Sequence, residues 1–146
     1  MSKQNCNLDF ANEIFRNVSV ALLSISDVLP QITEKIIVNE IKAEYEGYEN
    51  FSDEFKDYMK DNGYEIKDVS KMKKFMMWTA IKLNTAFDGS TSHVSEIMIK
   101  GTVMGITELT KILNESSCVT DEKLKTYAKR LIALEEEYIE NLKKFL

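Results

Sequence analysis

Residues 124–145 read LKTYAKRLIALEEEYIENLKKF, and this stretch decides the fold class. Its apolar residues recur at spacings of three and four, which is the period of one face of an α-helix. They are Leu124, Tyr127, Leu131, Leu134, Tyr138, Leu142 and Phe145. Because charged residues fill the positions between them, the pattern predicts an amphipathic helix from Thr120 or Asp121 to the end of the sequence.

The same period predicts four more helices upstream of this stretch. Pro30 ends the first, because the residue before a proline avoids the α region. Asn62-Gly63 is a stop signal for the second. The predicted ranges are about 8–29, 33–62, 68–87 (starting after Asp68 or Ser70) and 91–113.

A break near Gly89 is predicted between the third and fourth of these helices. Without it, one helix of some 45 residues would span about 67 Å, which is too long for a compact domain of this size. Asp88-Gly89-Ser90 supplies the turn residues that such a break requires.

Composition agrees with an all-α protein. The 146 residues include only one proline and five glycines, which favours long helices over a many-stranded sheet. Short connections make consecutive helices antiparallel. The sequence therefore predicts a single domain over residues 1–146, an antiparallel up-down four-helix bundle with one helix broken near Gly89 or a fifth packed at its side.

Charge and hydropathy argue against several classes of function. The net charge is −5, whereas nucleic-acid binding requires a basic face. No stretch has the roughly 20 apolar residues of a membrane span, and residues 1–10 lack the apolar core of a signal peptide. We therefore expect no nucleic acid and no membrane as partners, a cytoplasmic location, and free thiols at Cys6 and Cys118.

The fourth predicted helix carries two apolar stripes. Val94, Ile97, Gly101 and Met104 form a front stripe, and Ile99, Val103 and Ile106 form a back stripe. A helix that is apolar on two sides is buried on two sides. It is either central in the fold or part of a homodimer interface, and the sequence leaves both possibilities open.

Four polar residues fall on or near apolar faces. Glu44 and Glu135 each lie in the middle of a stripe, Glu108 follows Met104, and His93 lies at the edge of the front stripe. A carboxylate on a core face is costly unless it is paired or bound to a metal. Since inward carboxylates build di-iron and di-manganese sites in bundles, Glu44, Glu135 and His93 are the candidate metal ligands.

Spacing argues against a complete di-metal centre. Such a site uses two Glu-x-x-His turns, but Gly47 and Tyr138 stand three residues after the two glutamates. The other explanation is that the carboxylates bond to Tyr45, Tyr48, Tyr138 or a lysine, or extend to solvent at the edge of the bundle. With one histidine and no phosphate-binding loop or nucleophile elbow, the sequence also lacks the usual catalytic sets.

The order of several segments resembles small uncharacterised bacterial proteins of the ferritin-like superfamily. The segments are Lys74-Phe75-Met76-Met77-Trp78-Thr79-Ala80-Ile81-Lys82, the break at Asp88-Gly89, Glu96-Ile97-Met98-Ile99-Lys100-Gly101, and the final helix with Glu135-Glu136. The resemblance covers roughly residues 20–146 and implies a ferritin-like four-helix bundle with frequent oligomers. It also implies a di-iron centre, whose ligand motifs cannot be placed on this sequence.

These observations support one function and leave one alternative. We expect a non-enzymatic bundle that acts through self-association, as a homodimer or larger homo-oligomer, or through protein partners. The alternative is a divergent metal-binding bundle that holds iron or manganese with inward-facing carboxylates. No cofactor is otherwise expected, and no residue is assigned a catalytic role.

Overall fold

The computed structural model describes residues 3–67 and 87–146, which form an antiparallel helical bundle. The four α-helices are α1 (Lys3–Val28), α2 (Val38–Asp61), α3 (Thr91–Asn114) and α4 (Glu122–Lys143). Within the described ranges there is no β-strand. The predicted all-α four-helix bundle is thus confirmed, and the helix predicted over 68–87 lies, except for Phe87, outside the described residues.

Side-chain contacts fix the direction of each helix. Tyr48 packs on Tyr138 with ring centroids 5.1 Å apart, and Phe55 packs on Tyr127 at 5.0 Å. Position rises along α2 as it falls along α4, so these two helices are antiparallel. The same reversal makes α1 antiparallel to α2, through the pairs Asp9–Lys67 and Phe15–Lys56. It makes α1 antiparallel to α3, through Asn17–Gly105 and Asn7–Thr120. It also makes α3 antiparallel to α4, through Ser95–Leu142 and Gly105–Glu135.

Local signals end the helices close to the predicted residues. Gly63 follows α2 with φ of 71°, a left-handed conformation that favours glycine. Residues 87–90 are not helical, which confirms the break near Gly89. Asp121 caps α4, since its side chain accepts a hydrogen bond from the Lys123 N–H at 3.1 Å. The same carboxylate accepts hydrogen bonds from the hydroxyl groups of Tyr58 and Tyr64, which anchors the cap to the C-terminal end of α2.

The core follows the predicted stripes except on α3. On α2 and α4 the apolar stripes are buried or nearly so. On α3 the buried residues are Val94, Ser95, Met98, Thr102 and Leu109, and of the two predicted stripes only Val94 is among them. The predicted phase of this helix was therefore wrong. Because apolar residues surround most of α3, periodicity alone could not select the buried line.

Cys6 and Cys118 form a disulfide, so the prediction of free thiols was wrong. The bond joins the start of α1 to the turn between α3 and α4 across 112 residues of sequence. Asn7 ties the same two regions, because its side chain bonds to the backbone and hydroxyl of Thr120. Spacing in the sequence does not indicate this pairing, since the antiparallel packing of α1 against α3 brings the two cysteines together.

No helix in the described ranges is both long enough and apolar enough to cross a membrane.

Removing the disulfide is expected to lower the free energy of unfolding. In the chain-entropy description, closing a loop of this length reduces the entropy of the unfolded chain and so raises the free energy of unfolding by about 4–5 kcal/mol. Urea unfolding of the wild type with and without reductant measures the effect. The variant Cys6→Ser/Cys118→Ser should have the urea midpoint of the reduced wild type, and reductant should not change it. Equal midpoints for oxidised and reduced wild type would contradict the bond.

Candidate functional site

Two glutamates are buried in the middle of the bundle. Glu44 on α2 is 0% exposed and Glu135 on α4 is 2% exposed. Each lies within one turn of the tyrosine through which these helices meet, Tyr48 or Tyr138. The core positions predicted for both carboxyl groups are therefore confirmed.

Most of the oxygens of these carboxyls lack partners. Neither oxygen of Glu44, nor Oε1 of Glu135, has a hydrogen-bond partner of good geometry among the described residues, although the Glu40 carboxyl lies close enough to Glu44 to affect its pKa. Burial, and then the negative charge of Glu40, raises the pKa of Glu44 to about 9. Burial raises the pKa of Glu135 to about 8. Both groups are therefore mostly protonated and neutral at pH 7, and among the described residues neither shows the predicted hydrogen bond to a tyrosine or lysine.

Two glycines make room for the polar groups of this cluster. A Cβ on Gly105 of α3 would lie 2.5 Å from Oε2 of Glu135, and a Cβ on Gly47 would overlap the hydroxyl of Tyr138. Real side chains do not approach this closely. Because Gly105 and Gly47 have no side chain, Glu135 and Tyr138 can lie against the backbone of the neighbouring helix. Sequence spacing did not reveal this role for either glycine.

The register separates the two carboxyls. Glu44 precedes Tyr48 by one turn and Glu135 precedes Tyr138 by one turn, but the helices run in opposite directions. Their Cα atoms are therefore offset by roughly 10 Å along the bundle axis, at 1.5 Å per residue and with the two tyrosines taken at one height. Side chains lean towards the N-terminus of their own helix, so these two lean away from each other. This offset argues against a single metal ion shared by the two carboxyls.

The third candidate ligand, His93, lies elsewhere. It is in the first turn of α3, where its ring packs on Phe87 at 5.8 Å between centroids. Gly105, which contacts Glu135, is twelve residues further along α3, or about 18 Å. Within residues 3–67 and 87–146 no group of three or more acidic, histidine or cysteine side chains is arranged to hold a metal. The structure therefore does not bring the three predicted ligands together.

A cavity of about 410 Å³ lies between α1 and α3, and we call it the α1–α3 groove. Its walls are mainly apolar, and Tyr48 and Glu135 of the opposite helices also line it. Glu108, predicted to lie on the front stripe, is an exposed residue of its lining. Asn17 of α1 donates a hydrogen bond to the Gly105 carbonyl at 3.0 Å, which joins the two walls.

Glu135 is the only predicted site residue among the groove's lining residues. Of the others, sequence reasoning named Ile97, Gly101, Met104 and Glu108 only as parts of the front stripe. It missed Asn17, Met98 and Thr102, because they belong to no motif. The small residues Gly101 and Gly105 were a usable signal, since their spacing of four leaves one side of α3 without bulk.

Comparison of the chain with protein-family models, with curated proteins and with solved structures finds no match. The predicted ferritin-like relationship therefore stays a prediction, and the site is interpreted from its own geometry.

Alanine at the two α3 glycines should have opposite effects. A Cβ at Gly101 meets nothing within 4 Å, so Gly101→Ala should stabilise the helix by up to about 1 kcal/mol. Gly105→Ala should instead destabilise the protein by about 1–3 kcal/mol, because the new methyl group displaces the buried Glu135 carboxyl. Urea unfolding compares the two, and equal stabilisation by both would show that Glu135 moves aside freely.

Stability should fall as pH rises. The folded chain holds the Glu44 and Glu135 protons up to about pH 8–9, whereas an unfolded glutamate releases its proton near the ordinary pKa of 4.5. Between these values the folded state binds more protons, so each carboxyl lowers the unfolding free energy by at most about 1.4 kcal/mol per pH unit of increase.

Glutamine variants test this pH dependence, because glutamine resembles the protonated carboxyl and does not titrate. Glu44→Gln and Glu135→Gln should each reduce the difference in unfolding free energy between about pH 5.5 and about pH 8.5. Glu136→Gln, at the exposed neighbouring position, is the matched control and should keep the full difference. A wild-type stability that does not change over this range would refute the buried protonated state.

Proposed function

We propose that the protein is a non-enzymatic helical bundle that acts by self-association, as a homodimer formed through the outer face of α3. This face comprises Ile99, Val103 and Ile106. The observation that carries the proposal is the exposure of Val103, which is 47% exposed in the middle of the helix.

The neighbours of Val103 make this exposure more than an isolated apolar side chain. Ile99 and Ile106 lie one turn away on either side and are only partly buried. Together the three residues form a short apolar stripe along the outer face of α3. Burying such a stripe against the same stripe of a second copy needs only a two-fold axis, which is the commonest symmetry of homo-oligomers.

The catalytic alternative has less support from the described residues. His93 is held against Phe87 at the start of α3, about 18 Å along that helix from the glycine that contacts Glu135. Glu44 and Glu135 are mostly protonated at neutral pH and face apolar surroundings. A non-enzymatic role therefore requires fewer assumptions than an active site.

A charge on the proposed interface should separate the copies. In a two-fold dimer Val103→Lys places like charges close together, so light scattering should report a dimer for the wild type and a monomer for the variant. Ile36→Lys is the matched control, because Ile36 is 71% exposed on the turn before α2 and should leave the dimer intact. A monomeric wild type, or a dimer that survives Val103→Lys, would refute this interface.

The second candidate is a divergent iron- or manganese-binding bundle. The unpartnered oxygens of Glu44 and Glu135 favour it, and the separation of the two carboxyls along the bundle disfavours a shared ion. Elemental analysis after loading with Fe²⁺, Mn²⁺ and Zn²⁺ tests it. Metal that disappears in both Glu44→Gln and Glu135→Gln, but not in Glu136→Gln, would favour this candidate. From the geometry we expect no such metal.

The cytoplasmic location also remains a proposal, and the disulfide bears on it. Reducing compartments keep most protein thiols reduced, whereas oxidising compartments preserve disulfides. Alkylating free thiols before cell lysis would show which state Cys6 and Cys118 have in the cell. A blocked thiol at both positions would support the cytoplasm.

A further inference from the structure

We propose that the α1–α3 groove binds a small amphiphilic amine, with the ammonium group at Glu135 and the apolar body along the helices. The proposal concerns a different surface from the outer face of α3, because Val103 does not line the groove. Its outcome is therefore independent of self-association.

The groove has the dimensions and the walls of a small-molecule site. Its volume of about 410 Å³ falls within the usual range for such sites, roughly 300–1,000 Å³. Apolar side chains of α1 and α3 form most of the lining, among them Val20, Ala21, Ile25, Ile97, Met98 and Ile112. An alkyl or aromatic body placed there would be removed from water on both sides.

The inner part of the groove contains one acceptor without a donor. Glu135 is 2% exposed, lines the groove, and leaves Oε1 without a hydrogen-bond partner among the described residues. A purely apolar ligand would leave that oxygen unpaired, which is unfavourable. A primary ammonium group supplies both the donor and the opposite charge.

Charge along the rim favours a cation over an anion. Glu13 of α1 and Glu108 of α3 line the groove together with Arg16. The charges of Arg16 and Glu13 cancel in an ion pair of 2.6 Å, so Glu108 gives this rim a net negative charge. A carboxylate ligand would meet this acidic lining, whereas an amine is electrostatically complementary to it.

The competing occupants are protein. A second copy of the chain, or residues 68–86 of the same chain, which lie outside the described ranges, would close the groove to small molecules. Either occupant would leave no binding of any probe, so the experiment separates them from the proposed ligand.

Calorimetric titration with octylamine, octanol and octanoate tests the proposal, in buffer containing a chelator so that metal ions do not contribute. These probes share one apolar body and differ in the head group. We expect the wild type to bind octylamine about tenfold or more tightly than octanol, as one charge-assisted hydrogen bond allows, and octanoate least. Glu135→Gln should abolish the preference for the amine, and Glu136→Gln should retain it.

A second variant blocks the groove without changing its carboxyl. Gly101 lines the groove and has open space at its Cβ position, so Gly101→Leu should weaken octylamine binding about tenfold or more while the bundle stays folded. The proposal is overturned if no probe binds the wild type, if all three bind equally, or if the amine binds Glu135→Gln or Gly101→Leu as tightly as the wild type.

Discussion

The edge-on contact between Tyr48 and Tyr138, with ring centroids 5.1 Å apart, holds the centre of the bundle together. It sets the register of α2 against α4, and that register places one buried carboxyl on each side of the ring pair. Gly47 permits the contact, because a side chain there would occupy the position of the Tyr138 hydroxyl. The positions of Glu44 and Glu135, and hence the chemistry open to them, follow from this one packing arrangement.

Burying two protonated, neutral carboxyl groups costs less free energy than burying two ionised carboxylates. A lone charge in an apolar interior is unfavourable by far more than a neutral acid, so each group keeps its proton. The separation between the groups explains why neither appears among the influences on the other's pKa, while both raise that of Tyr48. The bundle therefore contains two independent acidic sites and not a coupled pair.

These two sites differ in their access to ligands. Glu44 lies on the α2 stripe and does not line the α1–α3 groove, whereas Glu135 reaches the groove beside Gly105. At the end of the bundle, the disulfide and the Asn7–Thr120 bonds fasten α1 to the turn that precedes α4. The groove walls are thereby joined at that end, and again in the middle by the bond from Asn17 to Gly105. The proposed functions depend on two surfaces of α3, the side that lines the groove and the outer face with Val103.

The sequence by itself determined the four described helices and their C-terminal ends, the break near Gly89 and the burial of Glu44 and Glu135, whereas α1 and α2 begin about five residues from their predicted starts. These features depend on local spacing and on turn residues such as Gly63 and Asp121, which act within a few positions of the chain. Only the tertiary structure decided the buried line of α3, the joining of Cys6 to Cys118, and the separation of the two carboxyls. Each of these depends on which helices meet and at what register. Contacts between residues far apart in the sequence produce no periodic pattern from which they could be predicted.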